Sequence, residues 1–249
     1  MSDKPPEKPP EKPGEERRRM VRLPTRGEVG GRSTALGERV KTADYRSQSS
    51  QAWLGRQLND PYVKAAKAQG YRSRAAFKLS EIDDKARLIK RGSKIIDLGC
   101  APGGWLQVVK QRGAGAVVGI DLLPVDPLPG VELIEGDFTD PGMGDLLIER
   151  LGGAPDIVMS DMAPNTTGHR QTDHLRIVGL VEAAVDFAIA VLVPGGVFVS
   201  KAFQGGETEA LLKLLKRHFK DVRHVKPNAS RAQSSELYLV ATGFRGRQP

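Results

Sequence analysis

The chain predicts an open α/β fold built on a mostly parallel, seven-stranded sheet, and three observations lead there. From Lys94 onward, short apolar runs alternate with amphipathic ones. A glycine-rich turn, Asp97-Leu98-Gly99-Cys100-Ala101-Pro102-Gly103-Gly104-Trp105, follows the first run. Acidic residues stand at the ends of the next three runs, at Asp121, Asp137 and Asp161. Alternating strand–helix units build parallel sheets, and such sheets hold ligands outside the carboxyl ends of their strands.

Residues 1–50 are rich in Pro, Glu, Lys, Arg, Gly and Ser and have no sustained apolar period. Such a segment buries too little surface to offset its ordering entropy, so it is expected to be a disordered, basic extension. Arg17-Arg18-Arg19 within it reads as a solvated tail or as a phosphate contact. The folded domain is expected over 51–249, with order beginning near Trp53. Asn59-Asp60-Pro61 reads as a helix start, with a capping residue ahead of a proline in the first turn, and Gly70 as its end. A second helix is expected over 72–82, with Phe77 and Ile82 on its core side and Arg72 and Arg74 near its beginning.

Seven strands are then expected, at 94–98, 116–121, 131–137, 156–161, 197–201, 221–226 and 235–242. Helices are expected at 104–112, 143–151, 173–192 and 208–219, the last with Leu211, Leu212, Leu214 and Leu215 at helical spacing. The final two strands read as an antiparallel hairpin. No internal repeat is visible.

Composition narrows the function classes. Hydrophobic residues make up 39 % of the 249, enough for a core. No apolar run approaches the roughly 20 residues that span a bilayer, and the opening Met-Ser-Asp-Lys-Pro-Pro-Glu has no apolar signal region. One cysteine excludes an internal disulfide and a Cys-based zinc cluster, and four scattered histidines offer no metal pair. A cytoplasmic protein without a metal or a membrane partner is expected. The net charge is +8, and residues 1–50 account for half of it with 12 Lys/Arg against 8 Asp/Glu. The folded part is therefore basic too, which suits a polyanionic partner.

The glycine spacing decides the cofactor class. Gly99, Gly103 and Gly104 with Pro102 between them match neither the G-x-G-x-x-G dinucleotide pattern nor a phosphate-binding G-x-x-x-x-G-K-[ST] loop. A strand-to-helix turn without Cβ atoms still admits a ligand close to the backbone. A nucleoside cofactor held without a pyrophosphate is implied, S-adenosyl-L-methionine foremost. Asp121 is spaced to take ribose hydroxyls and Asp137 to meet the adenine amino group. Any one of these acids reads equally well as a cap or turn residue; three in register favour a ligand. Lys201, directly after Val197-Phe198-Val199, is expected to point into the same crevice, as a general base or as a surface lysine that extends its ammonium to water. Lys78 and Glu236 are not singled out by local pattern.

These pieces together resemble the FtsJ/RrmJ family of ribosomal-RNA 2′-O-ribose methyltransferases. The resemblance runs from about Ser50 to Gly243. It rests on Tyr71 to Leu79, Asp97 to Trp105, Asp121-Leu122-Leu123-Pro124 and Gly136-Asp137-Phe138. Ser160-Asp161-Met162-Ala163-Pro164-Asn165, Lys201-Ala202-Phe203-Gln204-Gly205 and Ser230 to Tyr238 complete it. It implies the Rossmann-like class I S-adenosylmethionine-dependent methyltransferase fold and a Lys-Asp-Lys-Glu catalytic quartet at Lys78, Asp161, Lys201 and Glu236. It also implies a cofactor pocket lined by Gly103, Trp105, Asp121, Asp137 and Asp161.

In the expected roles, Lys201 takes the proton of a ribose 2′-hydroxyl and Lys78 favours the developing alkoxide. Asp161 orients Lys201 and faces the methyl end of the cofactor, and Glu236 positions the lysines or the ribose. The implied substrate is a uridine of 23S ribosomal RNA in the peptidyl-transferase region of the large ribosomal subunit. The protein is expected to act as a monomer, with the helices of 51–90 facing RNA and Arg72, Arg74 and Arg231 contacting it. The long N-terminal extension departs from the family pattern, and no S4-like RNA-binding module precedes the domain. A 2′-O-methyltransferase of transfer RNA or of the messenger-RNA cap, a small-molecule methyltransferase, and a non-catalytic ribosome-assembly factor are the competing readings.

Overall fold

The computed structural model describes residues 48–163, 170–204 and 209–246. Most of the expected extension, the Pro164-Asn165 end of one motif and Gly205 of another lie outside these residues.

Helix α1 (Gln48–Leu58) begins ahead of the expected start at Trp53. Helix α2 (Pro61–Ala68) forms as its sequence predicts: Asp60 caps it, with one carboxylate oxygen accepting the Tyr62 N–H at 3.0 Å. Helix α3 (Ala75–Ala86) starts three residues later than expected and runs further, until Arg87 turns left-handed at φ 50°. The chain before it is held off the helix path because the Arg72 N–H donates to the Gln107 side chain at 2.8 Å. Arg72 therefore precedes the helix, and Arg74 occupies its N-cap position.

Beyond α3 the expected alternation appears. Strand β1 (Ile95–Leu98), helix α4 (Gly104–Gln111), strands β2 (Val117–Asp121) and β3 (Glu132–Glu135) and helix α5 (Met143–Leu151) come first. Strand β4 (Ile157–Ser160), helix α6 (Arg170–Val191), strand β5 (Val197–Phe203), helix α7 (Glu209–His218) and strands β6 (Phe219–Val225) and β7 (Glu236–Phe244) complete it. The strands form one sheet in the order β3-β2-β1-β4-β5-β7-β6, parallel from β3 through β5 and antiparallel where β7 meets β5 and β6. The expected terminal hairpin forms, but β7 inserts between β5 and β6. Its Tyr238-Leu239-Val240-Ala241 run is buried, as a central strand requires, whereas β6 exposes residues along its length and sits at the edge.

Strand alternation divides the core into two layers. Ile95, Val117, Ile157 and Val199 face α2, α3 and α4, while Ile96, Val118, Val158 and Phe198 face α5, α6 and α7. In the first layer, Phe77 is fully buried between the rings of Tyr62 and Tyr71, with centroids 5.6 and 5.5 Å away. Phe77→Ala is expected to destabilise the fold by about 3–5 kcal/mol through lost burial and a residual cavity. Urea titration should find a lower midpoint at unchanged slope; an unchanged midpoint would show that the α3 layer is not part of the cooperative core.

Strand register, finally, builds the site. Leu98 pairs with Ile120 on one side and with Ser160 on the other, and Ser160 pairs with Ser200. The next residue of each strand therefore falls in one row: Gly99, Asp121, Asp161 and Lys201. Opposite Lys201 on β7 stands Tyr238, and Glu236 lies two residues further along the same face.

Candidate active site

Asp161 is the hub of the site. Lys201 Nζ lies 3.0 Å from its Oδ1 and donates to its backbone carbonyl at 2.6 Å. The Tyr238 hydroxyl donates to the same Oδ1 at 2.7 Å, and Lys78 Nζ stands 3.9 Å away. Lys78 in turn donates to Glu236 Oε2 at 2.9 Å, while Ser230 Oγ donates to Glu236 Oε1 at 2.7 Å. The fold thus brings together Lys78, Asp161, Lys201 and Glu236, which come from α3, the end of β4, β5 and β7. Their side chains are at most 16 % exposed. Each lysine is paired with a carboxylate, which is what lets four ionisable groups share a nearly dry site.

Tyr238 is a member that sequence reasoning did not assign. It is fully buried, its ring lies 5.7 Å from that of Trp105, and Lys78 Nζ sits 5.8 Å from its centroid. Burial, and after it the Asp161 carboxylate, hold its phenol well above the ordinary range, so it remains a hydrogen-bond donor. Its place opposite Lys201 follows from strand pairing, which local sequence does not reveal.

Asp97 was also missed as a site residue. It is 1 % exposed, and neither carboxylate oxygen has a hydrogen-bond partner among the described residues. Burial pushes its pKa well above the carboxylate range, with Asp161 and Asp121 adding to the shift. A carboxyl group inside the otherwise apolar run Ile95-Ile96-Asp97-Leu98 was the available signal. It lines a small cavity of about 20 Å³ with Ser73, Gly99, Trp105 and Asp161. That volume suits a single water, so a larger ligand must extend along the open strand ends. The buried Ser73 hydroxyl likewise lacks a partner among the described residues. An orphaned buried carboxylate at a ligand-binding sheet edge fits a cationic group.

The remaining cofactor candidates line the same edge. Gly103 adopts φ 102° as the N-cap of α4, and a Cβ there would lie 2.7 Å from the Arg72 guanidinium. At Gly99, φ 72°, a Cβ would run into the Met162 side chain. Trp105 is buried and donates its indole N–H to the Ala75 carbonyl at 2.9 Å, so it braces α3 against α4. Asp121 accepts the N–H groups of Ala101 and Leu123, at 2.8 and 2.9 Å, and ties the glycine turn to the end of β2. Strand β3 ends at Glu135, two residues before Asp137. The Thr139 hydroxyl and then its backbone N–H hold the Asp137 carboxyl below its usual range. Cys100, in the turn itself, is buried, and burial raises its thiol pKa, so it is no nucleophile.

The three arginines all make bonds within the protein. The Arg72 guanidinium donates to the carbonyls of Pro102, Asp126 and Pro127, at 3.2, 2.7 and 2.8 Å. It staples the glycine turn to the 122–131 loop and is not a free cation. Arg74 donates to Asp60 and to the Ala229 carbonyl, and Arg231 donates to Asp60 through Nε and Nη2 at 3.3 and 3.2 Å.

The sequence model of the FtsJ-like methyltransferase family matches residues 71–244. The chain belongs to that family. Curated relatives are also close. The "Ribosomal RNA large subunit methyltransferase E" of Caulobacter sp. (strain K31) is 63 % identical over 228 residues, 92 % of this chain and 100 % of the relative. The protein of the same name from Gluconobacter oxydans (strain 621H) is 64 % identical over 206 residues, 83 % of this chain and 77 % of the relative. Among solved structures, one described as a ribosomal RNA methyltransferase from Plasmodium falciparum aligns with a TM-score of 0.64 at 34 % identity. That alignment covers 71 % of this chain and 100 % of that one. An FtsJ-like methyltransferase requires a methyl donor of the S-adenosylmethionine type, and the donor-facing candidates and the charged quartet lie at one sheet edge. Helices α1 and α2 precede the stretch that the family model matches.

Proposed function

We propose that this FtsJ-like methyltransferase transfers the methyl group of S-adenosyl-L-methionine to the ribose 2′-hydroxyl of a uridine in 23S ribosomal RNA of the large subunit. The observation that carries the reading is the juxtaposition of the orphaned Asp97 carboxylate with the Lys78–Asp161–Lys201–Glu236 cluster. Asp97 is suited to the α-ammonium of the donor, Asp121 to its ribose hydroxyls and Asp137 to its adenine edge. Gly99 and Gly103 leave the backbone open between them. When bound, the donor supplies an electrophilic methyl on a sulfonium.

The chain's own residues prepare the acceptor. In its neutral form Lys201 has two N–H groups and one lone pair. Both N–H groups are engaged by Asp161, through its carbonyl and Oδ1, which leaves the lone pair to take the 2′-hydroxyl proton. The hydroxyl oxygen would then bond to a methyl carbon whose bond to sulfur breaks, the electron pair staying on sulfur as a neutral thioether. Lys78 donates to Glu236 and approaches Asp161, and its third N–H stabilises the alkoxide as charge develops. Both Glu236 oxygens are occupied, by Lys78 and Ser230, so Glu236 acts as a positioning residue for Lys78. Tyr238 fixes the Asp161 carboxylate. Holding acceptor and donor in line removes much of the entropic barrier.

The test offers the protein isotope-labelled donor with large subunits from cells that lack the gene, alongside transfer RNA and capped RNA. Label is expected on one uridine of the 23S RNA, in the peptidyl-transferase region, and a 2′-deoxy substitution there should abolish it. Label confined to transfer RNA or to the cap would transfer the reading to that substrate, and no transfer to any RNA would refute it.

A further inference from the structure

Beside the catalytic cluster, α2 and the β6–β7 connection enclose a cleft of about 890 Å³. Its walls include Asn59, Tyr62, Arg74, Asn228, Arg231 and Gln233. A smaller space of about 190 Å³ shares Arg74 and Arg231 with it and opens on Lys78 and Glu236. The two spaces thus adjoin beside Lys78 and Glu236, and neither is lined by Asp97 or the glycine turn.

The cleft is held open by bonds that no catalytic step uses. Glu81 on α3 is 3 % exposed and accepts the N–H groups of Asn228 and Ala229 at 2.5 and 3.0 Å. Arg74 holds the Ala229 carbonyl, and Asp60 binds both Arg74 and Arg231. Lys226 Nζ folds the connection on itself, with bonds to the carbonyls of Ala232 and Ser234 at 3.5 and 2.8 Å. A ten-residue connection between two strands is thus pinned as a wall, and a preformed concave surface next to a reaction centre is a candidate binding site.

Its chemistry matches one nucleotide. Arg74, Lys226 and Arg231 outnumber Asp60, so the walls carry excess positive charge. Arg231 is 35 % exposed and directs Nε and Nη2 to Asp60, which leaves Nη1 without a bond among the described residues. The side-chain amides of Asn228 and Gln233 are exposed and make no hydrogen bond among the described residues. A guanidinium edge suits a phosphate, and free amides suit the hydrogen-bonding edge of an unstacked base. We propose that this cleft is a reading subsite for the nucleotide next to the methylated one in a single-stranded stretch of RNA, with its phosphate on Arg231 and its base on Asn228 and Gln233. The proposal rests on the RNA 2′-O-methyltransferase reading above and adds to it a residue-level source of site selection.

The test uses the full-length protein and large subunits that lack the modification. The double substitution Asn228→Ala with Gln233→Ala is expected to raise KM for the subunits about tenfold, the cost of roughly one or two lost hydrogen bonds, with donor affinity unchanged. Unchanged KM would overturn the proposal. A second arm avoids any question of folding. Gln233→Cys carries a photoactivatable crosslinker, and the buried Cys100 does not compete for it. Crosslinks are expected within about two nucleotides of the methylated uridine, the reach of a side chain plus linker along extended RNA. Crosslinks to a distant RNA segment or to a ribosomal protein would overturn the assignment. If the unsubstituted protein methylates the subunits while these variants behave like it, the cleft proposal alone fails. If it methylates no RNA, the underlying reading fails.

Discussion

Lys201→Ala is expected to slow single-turnover methyl transfer by about 10²–10⁴-fold, the usual contribution of a positioned general base. The side chain is 8 % exposed and, among the described residues, both of its polar contacts are to Asp161, so its loss removes the proton acceptor and leaves the Asp161 carboxylate with Tyr238 and the more distant Lys78. Lys201→Arg separates the two contributions. A guanidinium keeps the positive charge and can still donate to Asp161, but it does not give up a proton in a protein. If Lys201 is the base, Arg recovers no more than about tenfold of the lost rate. Full recovery by Arg would assign Lys201 an electrostatic role only. Near-wild-type turnover of the Ala variant with the donor bound would remove it from the mechanism.

Asp97→Asn is expected to move stability and donor affinity in opposite directions. An unfolded aspartate titrates near 3.9, whereas burial raises the folded value well above that. Between the two values the folded chain holds the additional proton. The stability associated with this group is therefore fully present below about pH 3.9 and declines as pH climbs through the folded value. Denaturation midpoints of the ligand-free protein should fall as pH rises from about 3.9 towards the folded value, and Asp97→Asn should flatten that fall. Above the folded value the variant is expected to be the more stable by about 1–3 kcal/mol, since no unpaired charge is then buried. Its affinity for S-adenosylmethionine, measured calorimetrically, should drop by about 100-fold or more, because the ammonium loses a buried counter-charge. Equal pH profiles for the two proteins would remove the buried-acid argument, and unchanged affinity would refute Asp97 as the ammonium site.

These two residues mark how far the sequence could be read. Lys201 is legible because it follows the apolar run Val197-Phe198-Val199, and its direction then follows from the period of two, although the strand runs on to Phe203. Asp97 is equally local: a carboxylate inside four buried strand residues announces itself, although it passed as part of the glycine motif. Asp60 was legible as a helix cap, but not as the anchor of Arg74 and Arg231. Arg72 illustrates the opposite case. Its charge at a helix start suggested RNA, yet its guanidinium closes on carbonyls 30 to 55 residues away. A free cation and an intramolecular staple look alike until the chain is folded.

By itself the sequence determined the alternation of strands and helices, the capped α2 and the glycine turn. All of these depend on steric and hydrophobic preferences that act within one or two turns of chain. The tertiary structure alone decided that Lys78 meets Glu236 across 158 residues and that Tyr238 reaches Asp161 across 77. It also decided that β7 slides between β5 and β6. Those contacts come from strand register and from α3 packing on the sheet, where burial of both faces selects one arrangement and no local propensity encodes the partner.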